Sequence, residues 1–380
     1  MISSFTERFE TSEQLFEFLK SNEGGRLNIR EETLSPENPF VLIHYDKTKS
    51  DMSLPHVGRF RSVVWNARTN RPVCIAPAQS STLTDTFTLS EDATIEEFVD
   101  GVMINMFWDG TRWRLATRTQ LDAPGHFYGK RPFAELFTET FLGAGFNFND
   151  FNRDLCYSWV LQHPSERVVV PIPYGVAKLY LVETTNVASG LPVPPPAGVR
   201  TPEKHLLTSM DAVKARMLAW GHRFGIAWQG LVIKQGGRRF KLRSAQYEAA
   251  RELRGNQAKL PYVWMERWSQ GRLISYLRQY PEEAPEAEAL THQFKTCTQE
   301  LHHFYLEVYR NHTMPLRDVP QKYRKLLWEA HQANAGAYFP HLRNFMNVQD
   351  PARKLWLVNY ETRYGPVDTV IATPVDTVIG

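Results

Sequence analysis

Residues 97–118, Glu97-Phe98-Val99-Asp100-Gly101-Val102-Met103-Ile104-Asn105-Met106-Phe107-Trp108-Asp109-Gly110-Thr111-Arg112-Trp113-Arg114-Leu115-Ala116-Thr117-Arg118, decide how this chain is read. Two β-type runs, 102–108 and 112–118, flank Asp109-Gly110, and an Asp-Gly between such runs is the strongest short-range hairpin signal. A second pair, Asp100-Gly101, stands directly before the first run. Taken alone it is most often a turn, so its meaning depends on what surrounds it.

Upstream, Val41–Tyr45 and Arg61–Asn66 are further short β-rich runs bounded by polar turns. The first 39 residues form a helical extension on this reading, with Phe9, Leu15, Phe16 and Leu19 on one face and Thr11 or Ser12 as N-cap. Downstream come a helix over Phe133–Phe141, strands over Leu155–Gln162, Val168–Ile172 and Lys178–Thr184, and a Pro-rich surface connector, Gly190–Gly198. A helix over Met210–His222 precedes a hairpin of Leu231–Lys234 and Arg239–Arg243 around Gly236-Gly237. After Ser244 the pattern turns helical, over Ala245–Leu253, Met265–Gln279, Ala287–Arg310 and Val319–Asn334, with a break at Pro281 to Pro285. The expected organisation is α+β, with antiparallel sheets in a first domain at 1–245, an all-α domain at 246–362 and a tail at 363–380. In that tail Pro366-Val-Asp-Thr-Val-Ile-Ala372 recurs almost unchanged as Pro374–Gly380.

Composition removes several classes. With 380 residues, 42% hydrophobic and 22% charged, the chain has ample material for a core, so disordered and fibrous readings fall away. No run of about 18 apolar residues occurs and the N-terminus lacks a basic-then-apolar leader, so no membrane span or secretory signal is expected. The three cysteines, Cys74, Cys156 and Cys297, are widely separated and form no zinc spacing, which points to a reducing, cytoplasmic setting without a protein-held metal.

The order of five short segments is more informative than any one of them. Glu97–Ile104, Ala116-Thr117-Arg118, Cys156–Pro164, Trp228-Gln229-Gly230-Leu231-Val232-Ile233-Lys234 and Phe240-Lys241-Leu242-Arg243 follow one another in that order. The succession resembles the covalent nucleotidyltransferases, most closely the RNA ligase 1-like group found in phages and large DNA viruses, over roughly residues 40 to 245. Arg61–Arg68 and Pro72–Ala76 resemble the strand that precedes the nucleophile motif there. The resemblance implies an adenylyltransferase-type domain that uses ATP or GTP with Mg²⁺ and acts on RNA. It also implies nucleotide-contacting positions at Phe98, Asp100, Gly101, Arg118, Trp159, Gln229, Lys234, Lys241 and Arg243.

The departures from that family pattern are specific. Its nucleophile is the lysine of Lys-x-Asp-Gly, which requires an amine of depressed pKa to attack the α-phosphate. Position 98 is phenylalanine, and no lysine occurs between Lys49 and Lys130. The family's metal-holding glutamate before glycine is Gln229, a neutral amide and a poorer ligand for a hard cation. The aromatic–carboxylate pair on a strand is Trp159-Val160, and the final Lys-x-Lys is Lys241-Leu242-Arg243, which keeps both charges. Trp159 is open to two readings, core or base platform. Lys241 and Arg243 alternate with Phe240 and Leu242, so they face either solvent or a phosphate.

Net charge is only +3, yet its distribution is uneven. Between Lys234 and Arg278 eleven basic residues stand against three acidic ones, interleaved with Tyr247, Tyr262, Trp264, Trp268 and Tyr276. A surface that tracks a phosphate backbone and stacks bases has that composition. Arg238, Arg239, Arg251, Arg254, Lys259, Trp264 and Trp268 are its expected RNA contacts. Acidic stretches at Glu282–Glu288 and at Asp85, Glu91, Asp92, Glu96 and Glu97 offset it. Two functions follow. One is a catalytically silent relative that binds a nucleotide, an RNA end or a cap-like group, alone or with protein partners in a viral or translational assembly. The other is an active ligase-like enzyme with an unconventional nucleophile.

Overall fold

The computed structural model describes residues 2, 4–31, 34–35, 37–84 and 86–364. Asp85 and the duplicated tail segments beyond 364 lie outside the described residues. The chain divides into two compact units, Met1–Arg254 and Gly255–Gly380.

In the first unit the strands are β1 (Asn28–Arg30), β2 (Phe40–His44), β3 (Val63–Asn66), β4 (Arg71–Ile75), β5 (Thr94–Glu97), β6 (Val102–Trp108), β7 (Trp113–Ala116), β8 (Leu155–Gln162), β9 (Lys178–Asn186), β10 (Pro192–Val193), β11 (Lys204–His205), β12 (Gly230–Gln235) and β13 (Arg238–Arg243). They build three sheets, in the orders β1-β2-β3-β4, β10-β9-β8-β6-β7 and β11-β5-β12-β13, and every adjacent pair is antiparallel. β2 is buried at all five positions, as an apolar run covered on both faces should be. Its core partners are Val63, Val64 and Trp65 of β3 together with Leu15, Phe16 and Leu19.

Those last three sit on helix α2 (Ser12–Lys20), which follows α1 (Ser4–Arg8) and is capped by Thr11, whose hydroxyl accepts from the Gln14 amide at 3.4 Å. The extension is therefore helical only to Lys20. Asn28–Arg30 departs from the helical expectation because it pairs with β2, and pairing overrides weak local propensity.

Three helices complete the unit: α3 (Phe133–Gly143), α4 (Met210–Phe224) and α5 (Ala245–Arg254). The run Val168–Ile172, expected as a strand, joins no sheet. Its backbone is used differently, since the amides of Val169 and Val170 both donate to Asp100 Oδ2, at 3.0 and 2.9 Å. α5, on the far side of the composition change at 245, stays with the first unit. Its Tyr247 hydroxyl donates to Asp100 Oδ1 at 2.7 Å.

The second unit is helical, with α6 (Leu260–Ser269), α7 (Leu273–Gln279), α8 (Ala284–Tyr305), α9 (Gln321–Gln332), α10 (Phe339–Asn347), α11 (Pro351–Val358) and α12 (Tyr360–Tyr364). The single helix expected over Met265–Gln279 is two, separated at Gly271, whose φ of +68 no helix accommodates. α8 ends in a π-helical turn, Leu306–Arg310. Among the described residues no helix is long and apolar enough to cross a membrane, and all three cysteines are free and buried.

Candidate phosphate-binding site

The β12–β13 hairpin runs in unbroken register from Gly230↔Arg243 to Gln235↔Arg238 around the Gly236-Gly237 turn. Gly230 lets the strands meet, because a Cβ there would lie 1.9 Å from the Leu242 carbonyl oxygen. Alternation along β13 then separates two chemistries. Phe240 and Leu242 join Ile95, Val213, Trp228, Leu231 and Ile233 in an apolar cluster. Arg239, Lys241 and Arg243 occupy the opposite face.

Lys241 and Arg243 line a cavity of about 930 Å³, together with Tyr45, Lys47, Arg61 and Arg118. α4 adds a mixed wall in which Met217 and Leu218 stand beside Lys214 and His222. Phe98 supplies an aromatic face to both β13 cations, with the Lys241 amine 4.8 Å and the Arg243 guanidinium 5.2 Å from its ring centroid. Such contacts compensate desolvated cations in part.

No carboxylate stands within ion-pairing range of Lys241 among the described residues. Burial first, and then the charges of Arg61, Arg239, Arg243 and Lys47, pull its amine down to about 6. Arg243 reaches only an exposed carboxylate, Glu248, at 3.8 Å, and its buried Nε has no hydrogen-bond partner. Arg118 donates to the Tyr45 carbonyl at 3.0 Å and stacks on the Tyr45 ring. Cations crowded together with so few protein acceptors make a strong field for an anion.

The remaining expected nucleotide contacts divide clearly. Asp100 is fully engaged by protein donors, namely Val169, Val170 and Tyr247, so its carboxylate ties three segments together. The Tyr247 hydroxyl is pushed well above its ordinary range by burial and by that carboxylate. Gly101 is required by close approach, a Cβ there lying 2.4 Å from the Leu161 carbonyl oxygen. Lys234 forms an ion pair with Glu96 at 2.6 Å and donates to the Val182 carbonyl. Trp159 corrects the expectation of a base platform. It has no exposed surface and is ringed by Phe137, Phe141, Phe146 and Phe151, an aromatic core that a strand pattern cannot distinguish from a stacking site.

Of the expected RNA contacts, Arg238, Arg239, Arg251 and Arg254 belong to the first unit and Lys259, Trp264 and Trp268 to the second. Arg238, Arg251 and Lys259 are exposed. Arg254 is buried over the Tyr128 ring, which withdraws it from solvent. Trp264 is also buried, donating from Nε1 to Glu283 at 2.8 Å, and Trp268 packs edge-on against Phe294. Trp264 is thereby fixed inside the helical unit, whereas Trp268 is half-buried.

No group of three or more His, Cys, Asp or Glu side chains able to hold a metal ion exists among the described residues. Gln229 is buried with its Oε1 unpartnered and brings no charge. Sequence reasoning missed Tyr45, Lys47 and Arg61 as lining residues. The available signal was Arg61 at the mouth of an apolar run, a placement that costs free energy unless the charge is used.

No family model matches the chain, and no curated protein does. Solved structures of nucleic-acid ligases resemble it. An archaeal ATP-dependent RNA ligase is 12% identical at a TM-score of 0.43, covering 96% of this chain and 90% of that one. A putative ATP-dependent DNA ligase from Aquifex aeolicus is 12% identical at 0.42, covering 76% and 81%. An RNA ligase variant from Naegleria gruberi with ATP and Mn is 12% identical at 0.32, covering 46% and 57%. These scores are too low to carry a conclusion about this chain.

Proposed function

We propose that this protein has a nucleotidyltransferase-type fold whose cavity binds the phosphate groups of a nucleotide or an RNA end, and that it forms no lysyl–nucleotide at position 98. The reading rests on one observation: Arg61, Arg118, Lys241 and Arg243 converge on one cavity while Lys241 lacks a counter-ion. Phosphate oxygens supply what the protein withholds, and a guanidinium binds them through paired bonds. The apolar side chains of Met217 and Leu218 suit a base or sugar. Phe98 offers no nitrogen for a phosphoramidate. Its ring instead supports the two cations that would face the phosphate. ATP and GTP are the nucleotides to test, and RNA is the macromolecular partner.

A second reading is favoured by Lys241 itself. An amine held near 6 is largely uncharged at neutral pH and therefore nucleophilic. In that reading its nitrogen bonds to the α-phosphorus, the bond from that phosphorus to pyrophosphate breaks, and the amine proton leaves to solvent. Incubation with radiolabelled ATP or GTP followed by denaturing electrophoresis separates the two. Equilibrium binding without a labelled band is expected; a band on the wild-type protein that disappears in Lys241→Arg would overturn the silent reading in favour of the second.

A further inference from the structure

β13 carries a third cation on the face that bears Lys241 and Arg243. Arg239 lies two residues upstream, and side chains on one face of a strand recur about every 6.8 Å. It is 8% exposed, and its Nε and Nη1 are both buried without a hydrogen-bond partner. Arg239 lines not the cavity of Lys241 but a neighbouring one of about 1090 Å³. Gln79, Ser80, Ser81 and Thr82 line both cavities, so the two lie side by side along that segment.

Two other orphaned atoms line this second cavity, Ser80 Oγ and Thr184 Oγ1. The segment bearing Ser80 is pinned to β13 by the Ser81 amide, which donates to the Arg239 carbonyl at 2.7 Å. Three carboxylates line it too, but Glu96 is taken by Lys234 at 2.6 Å, Asp92 accepts from the Ser90 hydroxyl at 2.5 Å, and Glu183 acts on Arg61. A guanidinium buried without acceptors is costly. A phosphate answers it with two parallel acceptors and leaves oxygens for the two hydroxyl donors.

We propose that Arg239, Ser80 and Thr184 form a second phosphate subsite, and that the ligand is a phosphodiester strand laid along β13, with one phosphate at Lys241 and Arg243 and a later one at Arg239. The inference rests on the reading of the first cavity as a phosphate site. A nucleoside monophosphate occupies the first cavity alone; a strand occupies both. The face of β13 thus acts as a ruler, with Lys241 and Arg243 at one phosphate and Arg239 at the other.

The test uses the full chain and three probes: AMP, ATP and a short 5′-phosphorylated oligoribonucleotide. Arg239→Gln is expected to weaken oligonucleotide binding by at least about tenfold, the worth of a charged hydrogen bond, and AMP binding by much less. Its log–log salt slope should become shallower by about 0.7, one phosphate contact fewer on a single strand. Thr184→Val, which removes a hydroxyl at nearly constant shape, should weaken the oligonucleotide severalfold with a urea midpoint that does not fall. This guards against loss of fold in the arginine variant. An unchanged oligonucleotide affinity in both variants overturns the second subsite. Equal losses for AMP and oligonucleotide overturn it as well, and a loss confined to ATP assigns the cavity to a polyphosphate tail and overturns the strand. Wild-type protein that binds none of the three probes removes the first-cavity reading instead.

Discussion

The β13 face and the start of the helical unit are built from the same residue types, cations interleaved with aromatics, yet they use them in opposite ways. In the helical unit the buried charges and polar rings are closed on themselves. Arg267 binds Glu266 at 2.6 Å and Gln270, the Trp264 indole and the Tyr276 hydroxyl share the Glu283 carboxylate, and buried Lys354 donates to Ser269 and the Asn347 carbonyl. Along β13, Arg239, Lys241 and Arg243 carry unspent donors toward two cavities. A basic, aromatic composition therefore signals binding only where the protein itself leaves the charges unanswered. That distinction lies in packing and not in the residue count.

The largest effect that could break this contrast is on affinity. Arg61→Ala combined with Arg243→Ala should reduce binding of labelled ATP or RNA by about 100-fold, two charged hydrogen-bond donors at roughly 1.5 kcal/mol each. Lys259→Ala should change it less than twofold in the same fluorescence titration. Comparable losses would erase the difference between the regions. Next in size, Glu283→Ala strips a buried acceptor from Trp264 and Tyr276 and should cost about 2–3 kcal/mol in urea unfolding, with ligand affinity intact.

The third expectation concerns pH. A bound phosphate favours charged Lys241, so binding takes up a proton once pH exceeds the free value of about 6. Affinity should be greatest below pH 6 and fall by up to about tenfold per unit above it, until the raised value of the complex is passed. Lys241→Arg, always charged, should flatten that profile. The fourth expectation concerns stability. The folded value of about 6 lies below the ordinary lysine value of 10.5, so the unfolded chain binds more protons between them and stability rises with pH across that window. Lys241→Met should consequently raise Tm at neutral pH, most clearly below pH 6, with the gain vanishing above about pH 10.5. A lowered Tm at neutral pH would mean that the amine is better satisfied than its surroundings suggest.

Much of this was legible from local chemistry. The hairpin 230–243 and strand Leu155–Gln162 follow from turn residues and β-branched or aromatic runs, signals that act over a few positions. What escaped the sequence depends on contacts distant along the chain. Trp159 reads the same on a core strand as on a platform, and only the four phenylalanines around it decide. Val168–Ile172 has the composition of a strand, but its amides are claimed by Asp100 about 70 positions upstream. Lys47 carries no local mark, and the charge of Arg61 beside an apolar run hints at use without naming Lys241 as its neighbour.

The bond from Tyr247 to Asp100 has a practical meaning for anyone dividing the chain. A cut placed where composition changes, at residue 245, discards the phenol that completes the Asp100 shell and the helix that carries it. An excised first half should be sought with its C-terminus at or beyond Arg254, and a fragment ending at 245 should be less soluble and more easily proteolysed than one carried nine residues further.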